Sequence, residues 1–468
     1  MKFYLPLLLA FLATSASIAS EDLVWITLDR SEAHAIQSAL KRSYKVDLVI
    51  DATKNSPIAA ARIARKDLAA LTSLMHRDYG RCSGYLVHKT REEALAMRPR
   101  LEQIKNTPRK KMNYTIDNGE VARALADTTV EDSITDVIES LSAFPNRLYY
   151  HEQGVAAAHW LRDHWTSLLG DREDVTIQLF THDFEQPSVI LSIQGTRFPD
   201  EVVVVGGHLD STSRDTAAPG ADDDASGIAT LTEVIRTIAE TDFRPERSLR
   251  FMGYAGEEFG LLGSRDIAES YREANVDVVG VLQLDMTNYH GSDKDIWFLT
   301  DYTDDDLTQF LGQLVDTYLT DLTWDTTVCG YGCSDHAAWT GENYPAAMPF
   351  EARFGQHNFN LHTENDTLAQ SGGRSLHAHK FARVAAVFVA EVAKGGFGAP
   401  VVTVNRATVD ILTMGRLLSG MGPCPPAQDC SRDMDGDRDV DLDDFRHLLN
   451  QWENQGCFGF VEGPVCLD

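Results

Sequence analysis

What the chain has little of narrows its function first. Its 468 residues hold 42 Lys and Arg against 70 Asp and Glu, a formal net charge of -28. A protein so short of positive charge is not built to use nucleic acid or an anionic membrane as its main partner. Beyond residue 20 no apolar run reaches the ~18 residues of a transmembrane helix, so no membrane span is expected. Gly and Pro number 33 and 16, and hydrophobic residues make up 43%. That composition excludes a collagen-like or wholly disordered chain. Cysteine is scarce, at seven residues. The length exceeds one ordinary domain.

Residues 1–19 read as a signal peptide. Lys2 is a short basic region, Leu7–Leu12 an apolar run too short to span a bilayer, and Ser17-Ile18-Ala19 a cleavage site. The product is therefore expected to be secreted, extracellular or periplasmic. Exported proteins pair their cysteines, and an odd count leaves one over. Cys82 is alone at the front. Cys329 and Cys333 are close enough to pair across a short loop. Cys424, Cys430, Cys457 and Cys466 suit two bridges of unreadable connectivity.

Residues 21–105 follow a β-α-β-β-α-β pattern, that of a ferredoxin-like module. Strands are expected at Leu23–Leu28, Val46–Ile50, Ile58–Ile63 and Gly84–His88, and helices at Ser31–Lys41 and Lys66–Met75. No catalytic constellation is visible there. Pro99, Pro108 and Arg109-Lys110-Lys111 read as an exposed linker open to proteolysis. Residues 1–112 carry 19 basic and 11 acidic residues, whereas the other 356 carry 23 and 59. The basic front should attract the acidic body. Residues 20–115 are thus expected to be a propeptide that assists folding and covers the active site, with cleavage raising activity. A permanent N-terminal domain is the alternative.

Within an expected main domain of residues 116–398, residues 125–398 alternate helical patterns with apolar strands at Val175–Phe180, Val189–Ile193, Val202–Gly206, Ser248–Tyr254 and Val278–Leu284, an α/β arrangement. Ligands of such folds sit at strand ends. There the chain reads Gly207-His208-Leu209-Asp210 and Ala255-Gly256-Glu257-Glu258. A third strand ends in Asp285-Met286, an acidic loop holds Asp222-Asp223-Asp224, and His362 comes far downstream. His208, Asp223, Glu258, Asp285 and His362 supply the nitrogen and carboxylate donors that two zinc ions with a bridging carboxylate require. Asp210, two residues after His208, is placed to orient its ring. Of the adjacent pair Glu257 and Glu258, one can bind metal while the other moves protons.

The segments GGHLDS, APGADDDASG, YAGEEFGLLGS, QLDMTNY, CGYGCSDH and MPFEARFGQHNFNLHT, in that order, resemble the secreted bacterial leucine aminopeptidases of the di-zinc exopeptidase superfamily over residues 125–398. The resemblance implies a three-layer α/β/α sandwich around a mixed sheet; the small α+β propeptide is expected before it and a small helical calcium-loop tail after it. It implies that His208 and Asp285 hold one zinc, Glu258 and His362 the other, and that Asp223 bridges them. Glu257 becomes the general base, Tyr331 an aid to the oxyanion, and Asp223-Asp224 a cis peptide, with Asp224 in a supporting role. The substrate is a peptide with a free N-terminus. Met286, Met348, Phe350, Phe354 and Leu361 would line an apolar pocket for a Leu-like first side chain. Glu351 is a candidate supporting partner and His357 a candidate pocket wall. Other readings are a carboxypeptidase-like amide hydrolase on the same scaffold and a non-catalytic binding domain.

The tail, residues 399–468, contains Asp433, Asp435, Asp437, Asp441 and Asp444 at positions 1, 3, 5, 9 and 12 of a calcium loop. It looks like the calcium loop of dockerin modules, which implies one calcium ion and a cohesin-like or cell-surface partner. Arg438 departs from the usual Gly, and Asp444 from the usual Glu. A plain acidic loop without metal is the alternative.

Overall fold

The computed structural model describes residues 22–51, 58–79, 81, 84–97, 112–169 and 172–398, together with short stretches of the tail. The chain divides into Met1–Gly398 and Ala399–Asp468. Of the tail, the strand pairs Gly422–Pro423 with Asp439–Val440 and Cys457–Phe460 with Gly463–Cys466 are described. The signal peptide, Cys82, Arg109-Lys110-Lys111, Cys424, Cys430 and the calcium-loop aspartates lie outside the described residues.

At the N-terminus, β1 (Leu23–Asp29), α1 (Arg30–Ser43), β2 (Val49–Asp51), β3 (Ile58–Ala64), α2 (Leu68–Leu74) and β4 (Leu86–His88) build a small sheet of order β2-β3-β1-β4. All its pairs are antiparallel. Alternation in β1 turns Val24, Ile26 and Leu28 inward onto Ile36 and Leu40 of α1 and Leu68, Leu71 and Leu74 of α2. Asp29 caps α1 by accepting from the Ser31 amide.

The body follows as α3 (Gly119–Thr128), α4 (Glu131–Ser142), α5 (Glu152–Leu169), β5 (Val175–Phe180), β6 (Ser188–Ile193), β7 (Phe198–His208), α6 (Ala225–Glu240), β8 (Phe243–Pro245), β9 (Arg247–Tyr254), α7 (Leu262–Glu273), β10 (Asp277–Gln283), β11 (Ile296–Leu299), α8 (Asp305–Tyr318), β12 (Trp324–Thr327), α9 (His336–Gly341), β13 (Ala346–Ala347), β14 (Pro349–Phe350) and α10 (Leu376–Ala393). The central sheet has the order β13-β10-β7-β9-β6-β5. Its first three pairings are parallel and its last two antiparallel.

Strand periodicity decides the layers. Val203, Val205, Leu249, Phe251 and Leu282 face α3 to α6, α8 and α10 in the main core. The alternate residues Val202, Val204, Met252, Tyr254 and Val281 face Ile267 and Ala268 of α7 and Trp339 of α9. Helices thus cover both faces, as apolar parallel strands require, and the mixed α/β sandwich is the expected one. Among the described residues no helix is long and apolar enough to cross a membrane.

Candidate active site

The three parallel strands β10, β7 and β9 end on one edge of the sheet. From β7 the chain moves to β9 through α6 on one face, then to β10 through α7 on the other. That reversal leaves a crevice at the C-terminal end of β7. His208 is the last residue of β7, and the loops after β9 and β10 deliver Glu257, Glu258 and Asp285.

Side chains from five separate segments meet there. His208 Nε2 lies 3.0 Å from Asp223 Oδ1 and 3.5 Å from Asp285 Oδ1. His362 Nε2 lies 2.8 Å from Asp223 Oδ2 and 3.2 Å from Glu258 Oε2. Asp223 therefore joins two donor clusters, one oxygen to each. The peptide Asp223-Asp224 is cis, and His362 and Met286 hold left-handed backbone at φ 55° and 57°.

Neighbouring groups fix these residues. Asp224 caps α6 through the Gly227 amide at 2.8 Å and also accepts from the His208 amide at 3.0 Å. A Cβ at Gly227 would stand 2.3 Å from the Leu284 carbonyl oxygen and 2.4 Å from the Asp224 carboxylate, so this position needs glycine. Asp210 accepts from the amides of Glu257 and Glu258 at 2.9 and 3.2 Å, and its backbone carbonyl faces His208 Nδ1 at 3.1 Å. Glu351 accepts from the Tyr289 and Asn358 amides at 2.7 and 2.9 Å, behind Asp222.

Some supports carry no local signature in the sequence. Asp366 accepts from the amides of Asp222 and Asp223 at 3.2 and 3.1 Å and from Asn358 Nδ2 at 3.0 Å. Arg147, wholly buried, donates to the carbonyls of Leu209, Pro219 and Gly220 and so ties the His208 and Asp223 loops together. Asp335 accepts from Gln283 Nε2 at 3.0 Å beneath the site.

So many buried carboxylates conflict unless a cation lies among them. Burial pushes Glu257 well above the usual carboxylate range; His208 opposes this, and Asp335, Glu258 and Asp285 add to it. Burial and then Asp223 raise Glu258 to about 7, burial raises Asp335 to about 7, and burial followed by Asp222 and Asp223 raises Asp366 to about 8. Burial would raise Asp223 too, but His208 and His362 hold it low. His208 is driven down by burial, yet Asp285, Asp210 and Asp223 together hold it well above the ordinary imidazole value. Glu257 Oε1 and both oxygens of Glu258 are buried without a hydrogen bond. Divalent cations satisfy such orphaned oxygens and reverse this pattern. The donor sets His208–Asp223–Asp285 and His76–Glu258–His362 each converge within 4.8 Å.

Met286, Met348 and Phe350 pack with Leu299 and Cys333 into one apolar cluster, joined by Tyr331, Phe354 and Leu361. The Cys329–Cys333 disulfide forms. Burial lowers His357 to about 4, and its ring packs against Phe350 and Phe354 at 5.7 and 5.2 Å, beside the same apolar cluster.

One expectation is corrected. No catalytic constellation is visible in the sequence of the N-terminal unit, but the structure brings its His76 into the second donor cluster, 3.6 Å from Glu258 Oε2. A lone histidine in a helical pattern gave no signal of this.

Residues 188–387 match the model of peptidase family M28. A protein named probable leucine aminopeptidase from Arthroderma benhamiae is 33% identical over 264 residues, 55% of this chain and 72% of that protein. A probable aminopeptidase of Saccharomyces cerevisiae is 33% identical over 260 residues, 51% and 69% of the two chains. Among solved structures, the LapA aminopeptidase of Legionella pneumophila superposes with a TM-score of 0.67 at 28% identity, covering 80% of this chain and 99% of its own.

Proposed function

The chain belongs to peptidase family M28 and is a hydrolase of the aminopeptidase type, and from that premise we propose that it is an exported two-zinc enzyme releasing Leu-like residues from peptide N-termini. The observation that carries this reading is the Asp223 carboxylate, shared between His208 and His362 with the unbonded oxygen of Glu257 close by. His208 and Asp285 would hold one zinc, Glu258 and His362 the other, with Asp223 common to both. Bound zinc lowers the pKa of water and polarises a carbonyl.

The residues of the chain do the rest. Asp210 grips the backbone on both sides of the Glu257–Glu258 link, so the two side chains are held in different directions. Glu257 accepts the proton of the attacking water and passes it to the departing amine. The acidic centre attracts the cationic α-amine of the substrate. Met286, Met348, Phe350, Phe354 and Leu361 receive the first side chain, and Tyr331, which packs against the same cluster, would aid the oxyanion.

The signal-like leader and the cysteine pattern support secretion, and the charge contrast supports a removable propeptide of residues 20–115. The Asp433–Asp444 spacing supports one calcium ion and a cohesin-like or cell-surface partner. Calorimetry on the whole chain should show calcium binding that Asp433→Ala weakens.

The activity test compares leucine p-nitroanilide with its N-blocked form, after removal of the N-terminal unit and with metal analysis. Hydrolysis of the free-amine substrate alone, at two zinc per chain, is the expected result. Cleavage of the blocked form alone would favour a different amide hydrolase on this scaffold.

A further inference from the structure

Among the described residues, the N-terminal unit reaches the donor clusters through His76. His76 is the second residue of the helical segment Met75–Tyr79 that continues α2. Its side chain is 8% exposed, and its ring lies flat on His362, with centroids 3.5 Å apart and planes 13° from parallel. Nε2 points at Glu258 Oε2 from 3.6 Å, buried and without a hydrogen bond. A buried imidazole nitrogen with no hydrogen-bond partner, facing a buried carboxylate oxygen that only His362 Nε2 approaches, at 3.2 Å, is costly as it stands. A cation between them removes that cost.

We infer that His76 is a protein ligand of the metal held by Glu258 and His362, and that it closes this metal while the N-terminal unit is seated. The inference rests on the two-zinc reading above and adds a residue that this reading did not contain. Structural zinc sites are closed by four protein donors, whereas catalytic sites keep one position open. Glu258, His362 and the shared Asp223 make three. His76 makes the fourth, in the position that water or substrate needs. The N-terminal unit thus inhibits by ligation and not by cover alone.

The seating of that unit fits the task. Thr72, one turn before His76, donates to the carbonyl of Glu258 at 3.3 Å and pairs with the Tyr85 hydroxyl at 2.6 Å. Tyr85 and Val87 share a core with Tyr149, Phe259 and Leu262 of the body. Gly260 gives them room, since a Cβ there would lie 3.0 Å from Val87. Lys89 meets Asp266 at 3.2 Å and Arg65 meets Asp183 at 3.6 Å, basic residues of the unit on acidic residues of the body. Arg81 lies over the Tyr331 ring at 5.4 Å. His76 and Arg81, five residues apart, thus touch the metal cluster and the apolar cluster.

The test uses the full chain from residue 20, loaded with cobalt(II) in place of zinc. Uncut parent protein should show the strong visible bands of a four-coordinate ion. His76→Ala should weaken them and release one of the two ions to a chelator about tenfold faster or more. Uncut His76→Ala should also hydrolyse leucine p-nitroanilide about tenfold faster than uncut parent. His76→Asn, close in size but a poor ligand, should behave like His76→Ala if ligation matters and packing does not. Arg81→Ala, which loosens the cover without removing a donor, should leave the bands unchanged. Identical bands and release rates for parent and both His76 variants would overturn the inference, as would an equal change in Arg81→Ala. After proteolytic removal of the N-terminal unit, parent and His76→Ala should have equal activity. Failure of both to cleave the substrate would sink the aminopeptidase reading, while the cobalt bands would still decide the ligand.

Discussion

Asp210 holds Glu257 by its backbone and not by its side chain: Oδ1 accepts from the Glu257 amide at 2.9 Å. The other oxygen accepts from the Glu258 amide at 3.2 Å. A single carboxylate thereby positions both the residue assigned to proton transfer and the neighbour assigned to metal. Asp210→Asn keeps the volume but offers an NH2 where one amide needs an acceptor. The expected result is a fall of about 10–100-fold in kcat with most of the zinc retained. Unchanged kcat would show that the Glu257 loop is held elsewhere.

The pocket makes a specificity prediction. Met348 is almost wholly buried among Met286, Phe350 and Leu299. Met348→Ala enlarges the space that receives the first side chain. The preference for leucine over alanine p-nitroanilide, as a ratio of kcat/KM, should drop by about tenfold. An unchanged ratio would place the side-chain pocket on other residues.

Acid sensitivity has a separate source in the body. Asp295 accepts from Lys380 Nζ at 2.7 Å and from the Thr323 amide at 2.8 Å. Burial alone would raise its carboxyl, but Lys380 and Thr323 hold it down at about 2. A lowered carboxyl stabilises the fold above its ordinary value near 4, and that stability is lost as pH falls toward about 2. Allowing for solvent screening, the contribution is about 1 kcal/mol. The thermal midpoint of metal-free Asp295→Asn should lie below the parent at pH 6, and the gap should narrow as pH falls below about 4 and close only below about 2. A constant difference across that range would remove Asp295 as the cause.

Much of this arrangement was legible in the sequence, for physical reasons. Val202–Gly206 and Ser248–Tyr254 are apolar runs of strand length with polar residues at their ends, and strand ends are where an α/β fold gathers ligands. His208, Glu258 and Asp285 were therefore visible one strand at a time. Other parts lack a local pattern. In α10, Phe381 to Ala393 is buried on almost every side, so no polar face gives the helical period away. β13 and β14 have two residues each, too few to alternate. Asp366 and Arg147 act on backbone atoms far along the chain, and His76 meets Glu258 and His362 only through tertiary folding. No spacing rule finds such partners.

Glu257 is the group proposed to move the proton while the metals stay. Glu257→Gln, freed of the N-terminal unit, tests this most directly through leucine p-nitroanilide turnover measured beside zinc content. The predicted result is a loss of about 10²–10⁴-fold in kcat with the zinc content of the parent. Turnover within about tenfold of the parent, at that same zinc content, would contradict it.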